Sequence, residues 1–302
     1  MTITRVAIIG LGLLGGSLGL ALRDNLPGAV TTGYDADPAT RARARERALV
    51  GTVCDSAAEA VAAADLVVLC VPVGAMAEAA RDIAGALPAH AIVSDVGSSK
   101  LSVARALAEA LPGHTVIPAH PVAGTEQSGP DAGFATLFRQ RWCILTPGAD
   151  APTEAVTALT ALWEALGAKV ELMDPAHHDV VLAVTSHIPH LIAYTIVGTA
   201  SDLEDVTQSE VIKYSAGGFR DFTRIAASDP TMWRDVFLSN REAVLEVLGR
   251  FSEDLTAMQR AIRNSDGEAL FDLFSRTREI RRSIIEQGQD DARPDFGREH
   301  GE

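Results

Sequence analysis

The sequence predicts two parts of different structural class, an α/β domain over residues 1–174 and an all-helical part over residues 175–302. Before Asp174, short runs rich in β-branched residues alternate with alanine-rich segments that favour helix. Such alternation is typical of a mainly parallel sheet covered by helices. After Asp174-Pro175, which reads as a helix N-cap and first turn, long apolar helices follow without a convincing strand, and the chain ends in a polar tail.

Composition and charge restrict the classes of partner. The 302 residues carry a formal net charge of −14, and 47 % of them are hydrophobic while 22 % are charged. Such acidity argues against nucleic acid or an anionic membrane as the main partner. The three cysteines match no zinc or disulfide pattern, which favours a reducing cytoplasm and predicts no metal site. We also expect no apolar run long enough to cross a bilayer.

Seven runs are predicted to be the strands of the first domain. In chain order they are RVAIIG, VTTGYD, DLVVLCVP, HAIVSDV, TVIPAHP, RWCILTP and KVELMD. Alanine-rich segments between them, such as ATRARARERAL and LSVARALAEAL, predict the covering helices. Later in the chain, Ser228-Asp229-Pro230 repeats the N-cap signal, and Gly267 precedes the last predicted helix.

The first predicted strand leads into a glycine-rich turn, in which Gly10, Gly12 and Gly15 have the spacing G-x-G-x-x-G. A strand precedes the turn, a helix follows it, and Asp35 lies 20 residues beyond Gly15. This context predicts a Rossmann-type dinucleotide-binding domain. Gly10 permits the tight turn, Gly12 lets a pyrophosphate approach the backbone, and Gly15 lets the helix pack on the strand.

Asp35 predicts the choice of cofactor. Its carboxylate would accept hydrogen bonds from the adenosine ribose and, together with Asp37, would repel a 2′-phosphate. Arg41 is the nearest residue that could bind such a phosphate instead. We therefore predict NAD rather than NADP. The rest of the predicted cofactor site comprises Leu13, Leu14, Val71, Pro72 and Thr125.

Ser98 and His120 each follow a predicted strand. Because ligands bind at the carboxyl ends of strands in open α/β sheets, both residues should line the cofactor crevice. An imidazole has a suitable pKa to take a hydroxyl proton, and the Ser98 hydroxyl could orient a substrate oxygen. The structural alternative is that His120 only begins a loop, while Ser98 or Ser99 caps a helix that opens at Lys100 or Leu101.

The helix in VTSHIPHLIAY carries Ser186 and His190 four residues apart, hence on one face, while His187 points elsewhere. Pro189 should kink this helix, which would suit a pocket wall, although a packing kink with buried histidines is the alternative. Zinc binding is not expected, because no thiolate or carboxylate set completes the four histidines of this region, His177, His178, His187 and His190.

The segment GGFRDFTRIAASDPTMWRD concentrates arginines in an otherwise acidic chain, namely Arg220, Arg224 and Arg234. Guanidinium groups bind carboxylates with two parallel hydrogen bonds, so an anionic small substrate is compatible with this segment. Asp221 and Arg224 are three residues apart, and a surface ion pair is the alternative. Gly217 and Gly218 would let the backbone approach a ligand closely.

Together these segments resemble the prephenate and arogenate dehydrogenase family of tyrosine biosynthesis. The resemblance rests on GLGLLGGSLGLAL, DVGSSK, HPVAGTEQSG, ILTP, TSHIPH and GGFRDFTRIAASDPTMWRD, in the family's order, over roughly residues 5–250. It implies NAD-dependent oxidative decarboxylation of a cyclohexadienol, prephenate or arogenate, by a homodimer that associates through its helical domain.

The resemblance also implies roles for individual residues. His120 would accept the hydroxyl proton of the substrate, Ser98 would hydrogen-bond the same hydroxyl, and Arg224 would hold a substrate carboxylate. Thr125 would lie beside the nicotinamide. The substrate pocket would be lined by Ser186, His190, Gly217, Asp221 and Trp233.

Two other functions stay open from the sequence. One is another NAD(P)-dependent hydroxyacid dehydrogenase with a helical second domain, in which a lysine or magnesium-binding carboxylates would act. Lys213 is the sole lysine after Lys169, and no acidic cluster is evident. The other is a non-enzymatic NAD sensor, which would not need His120 and Ser98. Prephenate and arogenate are not distinguished, and Glu126 and Asp131 are candidate partners for the arogenate ammonium.

Overall fold

The computed structural model describes residues 2–125, 127–203 and 217–286. The chain forms two compact units, Met1–Val247 and Leu248–Glu302. The first unit holds both sheets and the residues of the candidate site. The domain boundary near Asp174 stays a prediction.

The described residues form nine strands in two sheets. They are β1 Arg5–Ile9, β2 Val30–Tyr34, β3 Thr52–Val53, β4 Leu66–Leu69, β5 Ile92–Asp95, β6 Thr115–Val116, β7 Ala119–Pro121, β8 Trp142–Leu145 and β9 Lys169–Leu172. The first sheet has the order β3-β2-β1-β4-β5-β6, and all of its strand pairs are parallel. This order is that of the doubly wound dinucleotide-binding fold. The predicted fold class is therefore confirmed.

The helices of the first part lie between these strands. They are α1 Leu13–Asn25, α2 Pro38–Glu46, α3 Ala57–Val61, α4 Met76–Ala84, α5 Leu101–Ala110 and α6 Thr153–Ala165. After β9 the described chain is helical, with α7 Pro175–Leu182, α8 Ile188–Asp202, α9 Gly217–Thr223, α10 Pro230–Ser239, α11 Arg241–Arg263 and α12 Gly267–Glu286. The predicted caps are confirmed, because Asp174 accepts hydrogen bonds from the first turn of α7 and Asp229 accepts one from α10.

Two hydrophobic cores lie on opposite faces of the parallel sheet. Side chains of a strand alternate between its faces, so Val6 and Ile8 join one core while Ala7 and Ile9 join the other. Strand β4 divides in the same way between the two cores. Burial on both faces explains why these strands are continuous apolar runs in the sequence.

The run TVIPAHP, predicted as one strand, forms two. Strand β6 ends at Val116 in the parallel sheet, and β7 belongs to a second sheet of order β7-β8-β9, in which it is antiparallel to β8. Pro118 separates the two strands and has no N–H for a ladder. His120 therefore lies within β7, opposite Ile144, and not in a loop after a strand.

The runs HHDVVLAVTSHIPHLIAYTIV and TMWRDVFLSNREAVLEVLGRF each predict one long helix, and neither is a regular α-helix throughout. Residues Ala183–His187 form a π-helical stretch between α7 and α8, where the Ile188 N–H bonds to the Ala183 carbonyl. Pro189, at the start of α8, cannot donate a helical hydrogen bond, so the wider turn occurs where the sequence predicts a kink. Farther along, Asn240 lies between α10 and α11, with a non-helical backbone at φ −105° and ψ +33°.

The expectation about apolar runs is wrong. The continuous helical stretch Pro175–Asp202 has 28 residues and is, by length and composition, long and apolar enough to cross a membrane. Only 28 % of its apolar window is buried within the chain. The same stretch carries the buried polar residues His178, Asp179 and His187.

The second unit consists of the rest of α11 and of α12 over its described residues. Both helices carry large apolar side chains that are exposed, namely Leu255, Ile262, Phe271, Phe274 and Ile280. Phe271 is the most exposed of them, at 70 %. An apolar surface of this kind on a small helical unit is typical of a protein–protein interface.

Candidate active site

The glycine turn after β1 has the geometry that a dinucleotide needs. Gly10 has a φ of +96°, and a Cβ there would lie 2.5 Å from the Cys70 carbonyl oxygen. A Cβ on Gly15 would lie 1.9 Å from the Gly10 carbonyl oxygen, so the helix can pack this closely only without a side chain. A Cβ on Gly12, in contrast, would meet no described atom within 4 Å. The backbone is therefore open at Gly12, where a pyrophosphate approaches.

The N-terminus of α1 faces the same opening. Helix α1 begins at Leu13 and Leu14, and no described side chain caps its first turn, whose N–H groups are then available to an anion. Val71 and Pro72 follow β4 on the neighbouring side of the turn, and the Val71 side chain lies against Gly10. These residues fit the pyrophosphate of a dinucleotide.

Asp35 lies just after β2, where the adenosine ribose would bind. One carboxylate oxygen accepts the Leu11 N–H at 2.8 Å and the other accepts the Asp37 N–H at 2.9 Å, which fixes the carboxylate beside the turn. Asp37 itself caps α2 and accepts two N–H groups and the Thr40 hydroxyl. The Arg41 guanidinium donates to the Asp35 and Ala36 carbonyls. The Arg41 guanidinium is thus bonded to the backbone, which agrees with the predicted preference for NAD over NADP.

Helix α5 is capped from another helix. The Lys100 N–H and the Leu101 N–H donate to the two carboxylate oxygens of Asp179, at 2.7 and 3.0 Å. The capping alternative for Ser98 and Ser99 is therefore wrong: Ser99 bonds to the Ser239 hydroxyl at 2.7 Å, and the half-buried Ser98 precedes the cap. A single carboxylate from α7 holds the segment that carries Ser98.

A fully buried ion pair holds the backbone before His120. The Lys100 ammonium donates to Asp95 at 2.5 Å and to the Ala119 carbonyl at 2.6 Å, while Asp95 accepts the Ala119 N–H at 3.2 Å. Both polar backbone groups of Ala119 are thus bound by one ion pair. Because a buried charge must be paired and hydrogen-bonded, this arrangement fixes β7 relative to β5.

His120 begins a chain of buried polar contacts. Its Nδ1 lies 2.8 Å from Nε2 of His178, and Nδ1 of His178 lies 2.9 Å from the Asp179 carboxylate. The two imidazole rings meet edge to face, with centroids 5.1 Å apart. His120 is 7 % exposed and His178 is fully buried. A carboxylate that orients a histidine through hydrogen bonds is an arrangement used in catalysis.

The surroundings favour neutral imidazoles. Burial lowers the pKa of His120 well below 6.5, and the neighbouring His178, Lys100 and His187 lower it further. Burial also lowers the pKa of His178, although Asp179 opposes this effect. A neutral His120 can accept a proton, which is the state that a general base requires.

His187 links this chain of contacts to the helical wall. The Asn240 amide donates to the Asp179 carbonyl at 2.8 Å and lies 3.1 Å from Nδ1 of His187. The His187 ring meets the Trp233 ring edge to face at 6.1 Å. Burial lowers the pKa of His187 to about 4.

Trp233, His190 and Arg224 occupy neighbouring positions on that wall. The rings of His190 and Trp233 are stacked, with centroids 3.6 Å apart, and Nδ1 of His190 bonds to the Ser186 carbonyl at 2.8 Å. That bond places Ser186 and His190 together, as their spacing predicts. Burial lowers the pKa of His190, and the nearby Arg224 guanidinium lowers it too. An aromatic ring and a cation at one site suit a ring-bearing anion.

The remaining predicted residues lie at the edges of this region. Asp221 lies beside Gly217, on α9. The Thr125 hydroxyl accepts the Gln127 N–H in an exposed turn. Arg234 pairs with Asp235 at 2.7 Å. Asp131 pairs with Arg43 at 2.7 Å and is thereby engaged away from the helical wall, whereas Glu126 lies outside the described residues.

Sequence reasoning missed several residues of this site. Asp95, Lys100, Asp179 and Asn240 were assigned no role, and His178 was considered only as a zinc ligand. Ionisable residues inside apolar surroundings, as in SDVGSSK and HHDVVLAV, are the signal that could have found them. Over the described parts of the chain, no three His, Cys, Asp or Glu side chains are arranged to hold a metal ion.

Two family models together match most of the chain. The nucleotide-binding domain of prephenate dehydrogenase matches residues 18–172, and the dimerisation domain of prephenate dehydrogenase matches residues 174–276. The sequence is 44 % identical to a cyclohexadienyl dehydrogenase of Zymomonas mobilis over 279 residues, which cover 92 % of this chain and 95 % of that protein.

Solved structures agree with these matches. A prephenate dehydrogenase from Aquifex aeolicus, in complex with hydroxyphenyl propionate and NAD+, superposes with a TM-score of 0.88 at 32 % identity and covers 94 % of this chain and 99 % of that one. An arogenate dehydrogenase from Synechocystis superposes with a TM-score of 0.79 at 27 % identity, over 93 % of this chain and 99 % of that one.

Proposed function

Because the chain belongs to the prephenate dehydrogenase family, an oxidoreductase family, we propose that it uses NAD for the oxidative decarboxylation of prephenate, arogenate or both. The observation that best supports a catalytic role is His120, a buried neutral imidazole held by His178 beside the segment of Ser98. A protein that only senses NAD would not need this arrangement. The buried Lys100 is bound to Asp95 and is not available as a base, whereas Lys213 lies outside the described residues.

NAD, held at the glycine turn and Asp35, would supply the acceptor for the hydride of the hydroxyl-bearing ring carbon of the substrate. His120 takes the proton of that hydroxyl as the carbonyl forms, and Ser98 hydrogen-bonds the same oxygen. Loss of CO₂ leaves its electron pair in the ring, which becomes aromatic, and His120 returns the proton to the ring oxygen. Atoms and charges balance without a metal or another oxidant.

The helical wall supplies binding groups. The Arg224 guanidinium would hold a substrate carboxylate, and the stacked His190 and Trp233 rings would contact the substrate ring. Ser186, Gly217 and Asp221 would line the same pocket, and Thr125 would lie beside the nicotinamide. The Arg224 cation would thus offset, at this wall, the strongly acidic net charge of the whole protein.

The family assignment also accounts for the apolar helices. Residues 174–276 match the family's dimerisation domain, so the exposed apolar side chains of α11 and α12 are expected to be covered in a homodimer. We place the enzyme in the cytoplasm, where its three free cysteines would stay reduced.

The test is NADH formation, followed at 340 nm, with prephenate, arogenate and simple 2- and 3-hydroxyacids as separate substrates. Turnover of prephenate, arogenate or both supports the proposal, and the ratio of their kcat/KM values gives the preference. Activity with a hydroxyacid alone would instead support the second candidate, another hydroxyacid dehydrogenase. Binding of NADH without turnover of any substrate would support the remaining alternative, a non-enzymatic NAD-sensing protein.

A further inference from the structure

The contacts of His120 point to two positioning residues that its role as a base does not include. We infer that Asp179, acting through His178, fixes which ring nitrogen of His120 takes the substrate proton. The inference rests on the proposed role of His120, and the three residues form one continuous chain of hydrogen bonds.

The Asp179 carboxylate determines which atom donates and which accepts in each hydrogen bond from Asp179 to His120. Asp179 also accepts the Lys100 and Leu101 N–H groups, so its carboxylate oxygens are acceptors. Nδ1 of His178 must therefore donate to Asp179, and Nε2 of a neutral His178 is then an acceptor. Nδ1 of His120 must donate to that acceptor. A neutral His120 is left with an unprotonated Nε2, which is the base.

The Asp179 carboxylate has little freedom to release this chain. It is 4 % exposed, and its two oxygens together accept three hydrogen bonds. Asn240 holds the backbone carbonyl of the same residue. Because Asp179 also caps α5, one side chain orients the His120 imidazole and anchors the segment that carries Ser98.

The charged and titratable groups around His120 support the neutral form. Lys100, at the start of α5, bears a positive charge that is paired with Asp95 of β5. His178 and Asp179 approach from α7, and His187 approaches from the π-helical stretch. A proton on His120 would meet a cation and two other imidazoles, so the orientation of a neutral ring decides its reactivity.

The experiment compares variants that reverse, keep or remove the donor direction. In Asp179→Asn, one carboxylate oxygen becomes an N–H₂ donor. The oxygen that binds His178 also accepts the Lys100 N–H, so an N–H₂ group in that position reverses both tautomers and opposes the Lys100 N–H. An N–H₂ group in the other position opposes the Leu101 N–H and leaves both tautomers unchanged. His178→Leu removes the link. His178→Gln keeps an oxygen that can accept the His120 N–H. Asp174→Asn is the matched control, because it makes the same change at the exposed N-cap of α7.

We expect kcat with the better of the two cyclohexadienyl substrates to fall about 10²- to 10⁴-fold in His178→Leu, as in enzymes whose orienting carboxylate is removed. Asp179→Asn should lose as much where its ¹⁵N-histidine spectrum shows the reversed tautomers. In His178→Leu, KM and the NADH dissociation constant should change less than about threefold, because the binding groups stay in place. His178→Gln should retain kcat within about tenfold, and Asp174→Asn should equal the wild type. A kcat within threefold of wild type in His178→Leu, the same result in an Asp179→Asn protein whose spectrum shows reversed tautomers, or equal losses in His178→Gln and His178→Leu, would overturn the inference.

A spectroscopic measurement covers variants that fail to fold. In wild-type protein labelled with ¹⁵N-histidine, the His120 signals, assigned by their loss in His120→Asn, should show a protonated Nδ1 and an unprotonated Nε2. A protonated Nε2 would refute the inference. The spectrum reads the tautomer without turnover, so absence of activity towards both substrates would refute the proposed function alone.

Discussion

His187 allows the effect of acid on stability to be worked out. Its ring is fully buried, and burial lowers its pKa from 6.5 to about 4. The Asn240 amide donates to the Asp179 carbonyl and faces Nδ1 of His187, so a proton on that nitrogen would place two donors against each other. The perturbation is a change from pH 7.5 to pH 4.5, in the wild type and in His187→Asn.

The sign and size of the effect of pH on the free energy of unfolding follow from proton linkage. Between about pH 4 and 6.5 the unfolded chain binds a proton at residue 187 that the folded chain excludes, so stability falls as the pH falls through this window. At 1.36 kcal/mol per pKa unit, the whole shift corresponds to about 3 kcal/mol. About 2.5 kcal/mol of this is lost by pH 4.5. His120 and His178, whose pKa values are also lowered, add losses in the same direction.

The assay is urea unfolding followed by circular dichroism, at one protein concentration and at both pH values. The amide introduced by His187→Asn keeps an acceptor for the Asn240 amide and cannot be protonated, while the other histidines are unchanged. Between the two pH values, the free energy of unfolding of the wild type should therefore fall by about 2.5 kcal/mol more than that of the variant. The exposed His177→Asn should behave as the wild type. If the free energy of unfolding of His187→Asn falls as much as that of the wild type, burial of a neutral His187 is not a source of the pH dependence of stability.

Three further predictions concern catalysis, substrate binding and assembly. His120→Asn should lower kcat about 10³-fold and leave the NADH dissociation constant nearly unchanged, and the acid limb of kcat/KM, with a wild-type midpoint below 6.5, should vanish; an unchanged limb would assign it to another group. Arg224→Ala should raise KM about 10- to 100-fold with a smaller effect on kcat, since a charged hydrogen bond to a carboxylate is lost; an unaltered KM in steady-state assays would exclude the contact. Phe271→Glu should convert a dimer into a 31.8 kDa monomer in light scattering, because it charges the exposed apolar face of α12; an intact dimer would place the interface elsewhere.

Hydrogen bonds of Asp179 link the separate segments of the candidate active site in the first unit. Ser98, His120 and His187 come from segments far apart in the chain, yet Asp179 is bonded to the neighbours of each. Its carboxylate caps α5 after Ser98, binds His178 beside His120, and its carbonyl accepts the amide that faces His187. Loss of this residue should therefore affect several catalytic positions together, which is why its variants need the tautomer readout.

The sequence by itself determined the local features. Hydrophobic runs, the glycine spacing around Gly10 and the caps at Asp174 and Asp229 depend on near neighbours in the chain, so they predicted the parallel sheet, the dinucleotide turn and the helix starts. The position of Ser98 after β5 could be predicted in the same way, because parallel strands end at one edge of a sheet. His120, in contrast, lies within β7 of the second sheet.

Only the tertiary structure decided which polar groups meet. Asp179 caps a helix that begins 78 residues earlier, and His178 reaches a strand 58 residues away, and no short-range pattern encodes such pairs. The division of TVIPAHP between two sheets and the contact of the Asn240 amide with His187 likewise depend on partners distant in sequence. A buried polar group must find a hydrogen-bond partner wherever the packed chain offers one, so its partner, and with it the tautomer of His120, is set by the fold.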